Sequence, residues 1–330
     1  MTSRIFVSAS IFIMLSSYSF SQQAACKSSS VPVNVINNSG AVVRGIAAQD
    51  FAGFVQRKPV EIKSIASDVG PRRVLIVADT NKKLSADSRK AEAEMVKVLL
   101  DNAREEDTFA IMFAQGPGQD VKFTADHNAI SQALNQLGEG SRGKDPSVLD
   151  TIMAAIQWFS SPQPGDAIVV IAANMEGGRK TNAKTVAKAL QDNHIRMFGL
   201  AMGPVQSRSS VAGGIVTSTT SQGLGYVEPG EGGSYGDELF FPLVTNSGGL
   251  LLGVMNVNSH INYKMTDPHI VQDVRRKAQA VSNMINNYYL MQIAPPQLSR
   301  PEEWNLGIKE EVQKHAAPMV VLYPHELGPC

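Results

Sequence analysis

The sequence predicts an α/β fold: a doubly wound, mostly parallel sheet inserted in a small β-sandwich that the N- and C-terminal segments form. Three observations lead to this fold class. Continuous apolar runs are typical of strands buried on both faces of a sheet. One such run is Val74–Ala78, and Asp79 directly follows it. Segments with apolar residues at helical spacing follow these runs. Short segments with alternating apolar and polar residues lie near both ends of the chain and are typical of half-buried strands.

The first strands belong to the small β unit. Alternating runs separated by a turn at residues 37–40 predict a β-hairpin, and two further short strands follow it. The predicted strands are residues 31–36, 41–43, 51–55 and 60–65. We therefore assign residues 22–70 to an N-terminal β segment.

The middle of the chain alternates strands with helices. After the strand that ends at Asp79, the predicted helices are residues 85–104, 128–137, 148–159, 181–193 and 237–245. The further predicted strands are residues 108–114, 121–123, 167–173, 195–202 and 249–254. Such alternation implies right-handed βαβ units and helices on both faces of one sheet. We assign residues 71–256 to this domain, with a long Gly- and Ser-rich loop at 203–236.

The last part of the chain returns to β structure. Residues 270–287 carry apolar side chains at helical spacing, and the segments 288–293, 305–312 and 319–323 are predicted as strands. Because β segments lie on both sides of the α/β domain, we predict that residues 257–330 pack against residues 22–70.

Residues 1–21 have the composition of a secretory signal peptide. Arg4 is followed by an apolar run at residues 5–15, and Ser19-Phe20-Ser21 provides a small-x-small cleavage site. The run is shorter than the ~20 apolar residues that a spanning helix needs. We expect a secreted or periplasmic protein with no membrane span after signal removal.

The chain has two cysteines, Cys26 and Cys330, which excludes a zinc or iron–sulfur site built from thiolates. Three fates of Cys26 stay open. It can pair with Cys330 in an oxidising compartment, it can remain a free thiol, or it can be lipidated as the mature N-terminus. Gln23 argues against lipidation because a lipobox usually has Leu at that position.

The charge balance limits the partners. Thirty basic and thirty acidic residues cancel, and no long basic run occurs, so a nucleic-acid surface is not expected. We expect a protein partner, whose identity the residues do not reveal.

The order and spacing of several segments resemble the bacterial secreted VWFA-related proteins, whose core is a von Willebrand factor type A (vWA) domain. The similar segments are residues 33–51, 73–79 and 288–293. The resemblance covers nearly the whole mature chain and implies a vWA (Rossmann-like) domain. It also implies a partner-binding face at the carboxyl ends of the strands, where loops converge.

Members of that family usually hold Mg²⁺ at this face with oxygen ligands, and this sequence departs from the ligand pattern. Asp79 matches the first aspartate, but Asn81 stands at a serine position and Asn174 stands at the second aspartate. In the loop that should supply a threonine, neither Asp145 nor Ser147 is a clear match. The resemblance therefore implies a degenerate metal-ion-dependent adhesion site, and Mg²⁺ is disfavoured.

Lys83 occupies the remaining serine position. We hypothesise that its ammonium replaces the cation and pairs with Asp79, since desolvating both charges is tolerable only where they meet. In the alternative interpretation, Lys83 points to solvent and Asp79 caps the following helix.

These observations lead to the expectation of a protein-binding or scaffold module that is not an enzyme and needs no cofactor. The expected contact residues are Asp79, Asn81, Lys83, Asp145, Ser147 and Asn174. A secreted serine hydrolase using Ser234 in Gly232-Gly-Ser-Tyr-Gly236 is one alternative, although residues 227–231 cannot form the strand that a nucleophile elbow requires. An inert structural envelope protein is the other.

Overall fold

The computed structural model describes residues 29–37, 40–67, 70–79, 85–114, 119–135, 147–172, 181–204, 235–255, 264–313 and 319–328. The strands are β1 (Ser29–Asn37), β2 (Phe51–Val55), β3 (Lys58–Ser67), β4 (Arg73–Asp79), β5 (Thr108–Ala114), β6 (Val121–Thr124), β7 (Ala167–Ala172), β8 (Arg196–Pro204), β9 (Leu251–Met255), β10 (Tyr289–Ala294), β11 (Glu302–Ile308), β12 (Met319–Leu322) and β13 (Glu326–Leu327). The helices are α1 (Ala86–Asp101), α2 (His127–Asn135), α3 (Val148–Ile156), α4 (Ala183–Asp192), α5 (Tyr235–Asn246), α6 (Pro268–Asn286) and α7 (Glu310–Gln313). No helix in these ranges is long and apolar enough to cross a membrane.

The strands form two sheets. A six-stranded sheet has the order β6-β5-β4-β7-β8-β9, in which only the edge strand β6 is antiparallel to its neighbour. A seven-stranded sheet has the order β12-β1-β10-β3-β2-β11-β13, and the pairs along it are antiparallel. The predicted fold class, a doubly wound and mostly parallel sheet, is confirmed.

The six-stranded sheet is buried on both faces because its strands are apolar at nearly every position. Along β4, Val74 and Ile76 pack with α1, α2 and α6 on one face. Leu75 and Val77 pack with α3, α4 and α5 on the other face. Strands with this burial have no solvent side, which explains why they appear in the sequence as continuous apolar runs.

The seven-stranded sheet joins the two ends of the described chain. β1 to β3 precede the six-stranded sheet and β10 to β13 follow it, as expected for a domain inserted in a β unit. The strand order places β12 and β13 at opposite edges, although only residues 323–325 separate them in sequence. The sheet is therefore rolled so that its edges approach each other around an apolar core that includes Trp304.

The C-terminal end of α6 attaches the rolled sheet to the six-stranded sheet. The last carbonyls of a helix lack partners within the helix, and here side chains from both units supply the donors. Asn34 Nδ2 of β1 lies 3.0 Å from the Met284 oxygen and 2.9 Å from the Asn287 oxygen. The three arginine contacts are Arg72 Nε to the Ile285 oxygen at 3.1 Å, Arg104 to the Asn286 oxygen at 2.6 Å, and Arg196 to the Met284 oxygen at 3.3 Å.

Two of these guanidiniums lie against the ring of Tyr288. The Arg72 Cζ is 4.6 Å and the Arg196 Cζ is 4.2 Å from the ring centroid, and all three side chains are buried. Cations over an aromatic face are attracted to it, more strongly where water is excluded. The joint between the units is thus a polar, stacked cluster, of which the sequence prediction gave no indication.

Two strand predictions were wrong. Residues 41–43 form only the isolated antiparallel bridge between Ile36 and Val42, because β1 pairs with β10 and β12 instead. The other prediction was wrong at its end. The predicted strand 305–312 stops at Ile308, and Glu310–Gln313 form the short helix α7. Glu310 and Glu311 lie in the first turn of α7, where the positive end of the helix dipole favours acidic side chains.

Candidate functional site

Asp79 is the last residue of β4, a central strand with β5 on one side and β7 on the other. Its register partner on β5 is Ala114, the last residue of that strand. Asp79 therefore lies at the carboxyl edge of the parallel sheet, and it is only 1% exposed. A buried carboxylate at this edge is costly unless the surrounding groups stabilise it.

Glu92 of α1 is a second buried acid beside Asp79, and the sequence prediction missed it. Glu92 is 2% exposed, and its Oε1 atom has no hydrogen-bond partner among the described residues. Burial, and then the charge of Asp79, raise the pKa of Glu92 well above its usual value. A backbone hydrogen bond with Asp79 and the charge of Arg89 oppose this shift without cancelling it. The edge thus contains two acids that interact, with one of them biased toward the neutral form.

Ser147 lies at the start of α3, where it acts as the N-cap. Its Oγ accepts a hydrogen bond from the Asp150 backbone N–H at 3.1 Å, and its carbonyl accepts one from Thr151 Oγ1 at 3.1 Å. The residue is 7% exposed. The hydroxyl that could have substituted for a threonine ligand therefore stabilises a helix terminus.

Asp150 connects the starts of two helices at the same edge. Burial acts to raise its pKa, but hydrogen bonds from Thr181 and Ser147, through side chains and backbone, outweigh burial and lower the pKa. Thr181 directly precedes Asn182, the N-cap of α4. The starts of α3 and α4 therefore lie close to each other at this edge.

Several predicted site residues lie outside the described residues, so the roles assigned to them stay predictions. They are Asn81, Lys83, Asp145, Asn174, Ser234, Cys26 and Cys330. Of the six predicted contact residues, the structure places two, Asp79 and Ser147.

Of the residues expected to contact a cation at this edge, the structure describes Asp79 and Ser147. An octahedral Mg²⁺ needs several oxygen ligands with lone pairs directed at it. The Ser147 hydroxyl accepts one hydrogen bond, from the Asp150 backbone N–H. Within the described ranges, no group of three or more His, Cys, Asp or Glu side chains could hold a metal ion.

The strand order, the single antiparallel edge strand and the helices on both faces define the architecture of the inserted domain. This domain is vWA-like. No family model and no curated protein matches the chain. The three solved structures described next are distant in sequence and have TM-scores below 0.5.

The three structures illustrate the range of similarity. BatB from Bacteroides thetaiotaomicron is 19% identical, with a TM-score of 0.43, and the match covers 64% of this chain and 98% of that one. An aerotolerance-related membrane protein from Bacteroides fragilis is 20% identical, with a TM-score of 0.40 and coverage of 62% and 99%. A von Willebrand factor type A protein from Catenulispora acidiphila is 10% identical, with a TM-score of 0.43 and coverage of 93% and 74%.

Proposed function

We propose that this chain is an exported protein-binding module whose vWA-like domain contacts a protein partner at the carboxyl edge of its parallel sheet. The observation that carries the proposal is the position of Asp79, which is buried at the carboxyl end of a central strand of the parallel sheet. In doubly wound sheets, ligands bind outside the carboxyl ends of the strands, where the connecting loops converge.

We further propose that recognition at this edge does not use a metal bridge. The support is the chemistry of the donors. Asn81 and Asn174 are neutral amides, Lys83 carries no free lone pair when protonated, and the Ser147 hydroxyl caps a helix. Of the two carboxylates in the expected set, Asp79 stands at a position that matches the family pattern and Asp145 does not. A hard divalent cation needs more matching oxygen ligands than this to replace its hydration shell.

We also propose export, on the basis of residues 1–21. The apolar run with a preceding Arg4 and a small-residue cleavage site is typical of a signal peptide. The partner is then a protein of the cell envelope or of the external medium.

Affinity capture tests the proposal with a matched pair of variants. The mature chain is immobilised and exposed to an envelope extract, and bound proteins are quantified by mass spectrometry with and without EDTA. Asp79→Asn removes a charge at the carboxyl edge, and Asp101→Asn removes one at the opposite end of α1, where Asp101 is the last helical residue. We expect Asp79→Asn to lose a captured protein that Asp101→Asn retains, and EDTA to have no effect.

Two results would contradict the proposal. Loss of capture in EDTA would show that the contact depends on a metal. Equal capture by both variants would show that the partner binds elsewhere. Equilibrium dialysis against Mn²⁺ completes the test: micromolar binding that Asp79→Asn abolishes would overturn metal independence.

A further inference from the structure

The outward surface of β2, β3 and β11 in the rolled sheet is apolar at its centre. Phe51, Val55 and Val60, together with Trp304 and Leu306, belong to the apolar core, so the residues that alternate with them point outward. We call this surface the outer face, and its central residues are Ala52, Phe54, Pro59, Asn305 and Gly307. Antiparallel sheets that pack one face on a core usually carry polar residues on the other face. The outer face departs from that pattern.

Phe54 stands in the middle of the outer face. It is 45% exposed, and within the part of the chain that the structure describes it is the one large apolar side chain that is exposed. Asn305 of β11 and Pro59 of β3 lie opposite it in register. Beside it, Ala52 lies opposite Gly307, where an added Cβ would meet no atom within 4 Å. An exposed apolar patch of this kind, with polar residues around it, is typical of a contact surface between proteins.

Charges of opposite sign flank one end of the outer face. Toward the turn between β2 and β3, one residue beyond the last register pair with β2, β11 carries Glu303. Glu303 is exposed and lies opposite Glu326 of β13. On the other side of β2, the turn and the start of β3 carry Arg57 and Lys58, which are both exposed. This end is therefore acidic on the β11 side and basic on the β3 side.

We propose that a second copy of this chain docks on the outer face, about a two-fold axis that runs parallel to β2 and passes Phe54. Rotation about this axis exchanges the β11 side with the β3 side, as in any contact that uses the same patch on both copies. Glu303 then faces Arg57 of the second copy, and Arg57 faces the second copy's Glu303. Glu326 and Lys58 are brought together in the same way. The two Phe54 rings meet at the axis, where an offset aromatic pair is favourable.

The outer face is small, so the contact is weak. Three strands about 4.8 Å apart, with about five residues at 3.4 Å each, cover roughly 14 by 17 Å. The area buried on two such faces is well below the ~1,200 Å² at which stable complexes begin. We therefore expect a dimer whose population rises with protein concentration.

Sedimentation velocity of the mature chain over a concentration series tests the proposal. The sedimentation coefficient should rise from that of a monomer toward that of a dimer. Phe54→Ser should raise the dissociation constant by about tenfold or more, because it removes the aromatic pair and its buried area. Lys188→Glu, at an exposed position on α4 of the α/β domain, should leave the dissociation constant unchanged. Both variants should melt at the temperature of the unmodified chain, since both positions are exposed.

A pair of charge reversals tests the orientation of the two copies. Arg57→Glu sets a glutamate against Glu303, and Glu303→Arg sets an arginine against Arg57, so each variant alone should stay monomeric. A mixture of the two restores opposite charges at both contacts and should associate as the unmodified chain does. Glu61→Arg is the matched control, because Glu61 lies at the other end of the outer face, beyond Val60. It should not restore association of Arg57→Glu.

Three results would overturn the proposal. The first is a monomer at every concentration of the unmodified chain, including the case in which a different protein binds through Phe54. The second is a dimer that Phe54→Ser leaves intact, which would place the contact elsewhere. The third is restoration of Arg57→Glu by Glu61→Arg and not by Glu303→Arg, which would exclude an axis parallel to β2.

Discussion

The buried cluster at the C-terminal end of α6 predicts a large loss of stability when Arg196 is replaced by alanine. Arg196 is 1% exposed, donates to Asn34 Oδ1 at 2.8 Å and to the Met284 oxygen at 3.3 Å, and stacks on Tyr288. Removing it deletes these contacts together and leaves the Asn34 oxygen without this donor.

The magnitude follows from the separate contacts. A hydrogen bond with a charged partner contributes about 1.5–3 kcal/mol, and the longer of the two bonds belongs at the low end. A cation near a helix C-terminus adds about 0.3–1 kcal/mol, and the stacking adds about 0.5–2 kcal/mol. Since such contributions are not additive, we expect Arg196→Ala to lower the free energy of unfolding by about 4 kcal/mol, a large share of the roughly 5–15 kcal/mol that a domain has.

Urea unfolding followed by tryptophan fluorescence measures this loss, because Trp158 follows α3 of the α/β domain and Trp304 lies in β11 of the rolled sheet. The matched control is Arg275→Ala on the outer side of α6, where the arginine is 58% exposed and pairs with Glu94. That exposed pair should contribute less than about 1 kcal/mol. A loss below about 1 kcal/mol for Arg196→Ala, or equal losses for both variants, would refute the role assigned to the cluster.

Two further predictions concern α1 and α4. Because the pKa of Glu92 is raised by burial and by Asp79, the folded chain keeps the proton more tightly than the unfolded chain, and stability should fall as the pH rises above the ordinary glutamate value of 4.5. Glu92→Gln should therefore be more stable than the unmodified chain at pH 7, and this gain should disappear toward pH 4. Urea unfolding of both proteins from pH 4 to 8 measures it. A difference in free energy of unfolding that does not change with pH would contradict the raised pKa of Glu92. His194 has a φ of 52° in the left-handed position that ends α4, with Ile195 N–H donating to the Leu190 oxygen, so His194→Gly should stabilise the chain by about 0.5–1 kcal/mol. His194→Ala keeps the Cβ and should give no gain in the same thermal melt, and equal shifts for the two variants would show that backbone strain is not the cause.

Most of the strands and helices could be predicted from the sequence because local patterns determine them. The run of β7, Ala167–Ala172, is apolar throughout because both faces of this strand are buried. The apolar residues Val274, Ala278 and Val281 of α6 repeat at helical spacing because they belong to the buried core shared with α1 and the sheet. Patterns of this kind need no knowledge of distant residues.

The joint could not be predicted in the same way. Asn34 and Met284 are 250 residues apart in sequence, and their contact follows from the way two sheets meet. No periodicity distinguishes Arg196 from an exposed arginine, because its partners come from β1 and α6.

Part of the candidate site was predictable and part was missed. Asp79 could be placed because it directly follows a buried strand. Glu92 was missed, although a signal was present: it lies three, four and seven residues before Met95, Val96 and Leu99 and so shares their buried helical face. An acidic residue that lies at helical spacing from buried apolar residues is itself expected to be buried. Its interaction with Asp79 then shows that Glu92 belongs to the candidate site.

The central claim, that the carboxyl edge of the parallel sheet contacts a protein partner without a metal, is tested most directly by photo-crosslinking in the native host. A photoreactive amino acid replaces Lys184, an exposed residue in the first turn of α4, and in a matched variant it replaces exposed His194 at the other end of the same helix. We expect one discrete adduct from position 184, unchanged by EDTA, and none from position 194. Adducts from position 194 alone, or an adduct at 184 that EDTA removes, would contradict it.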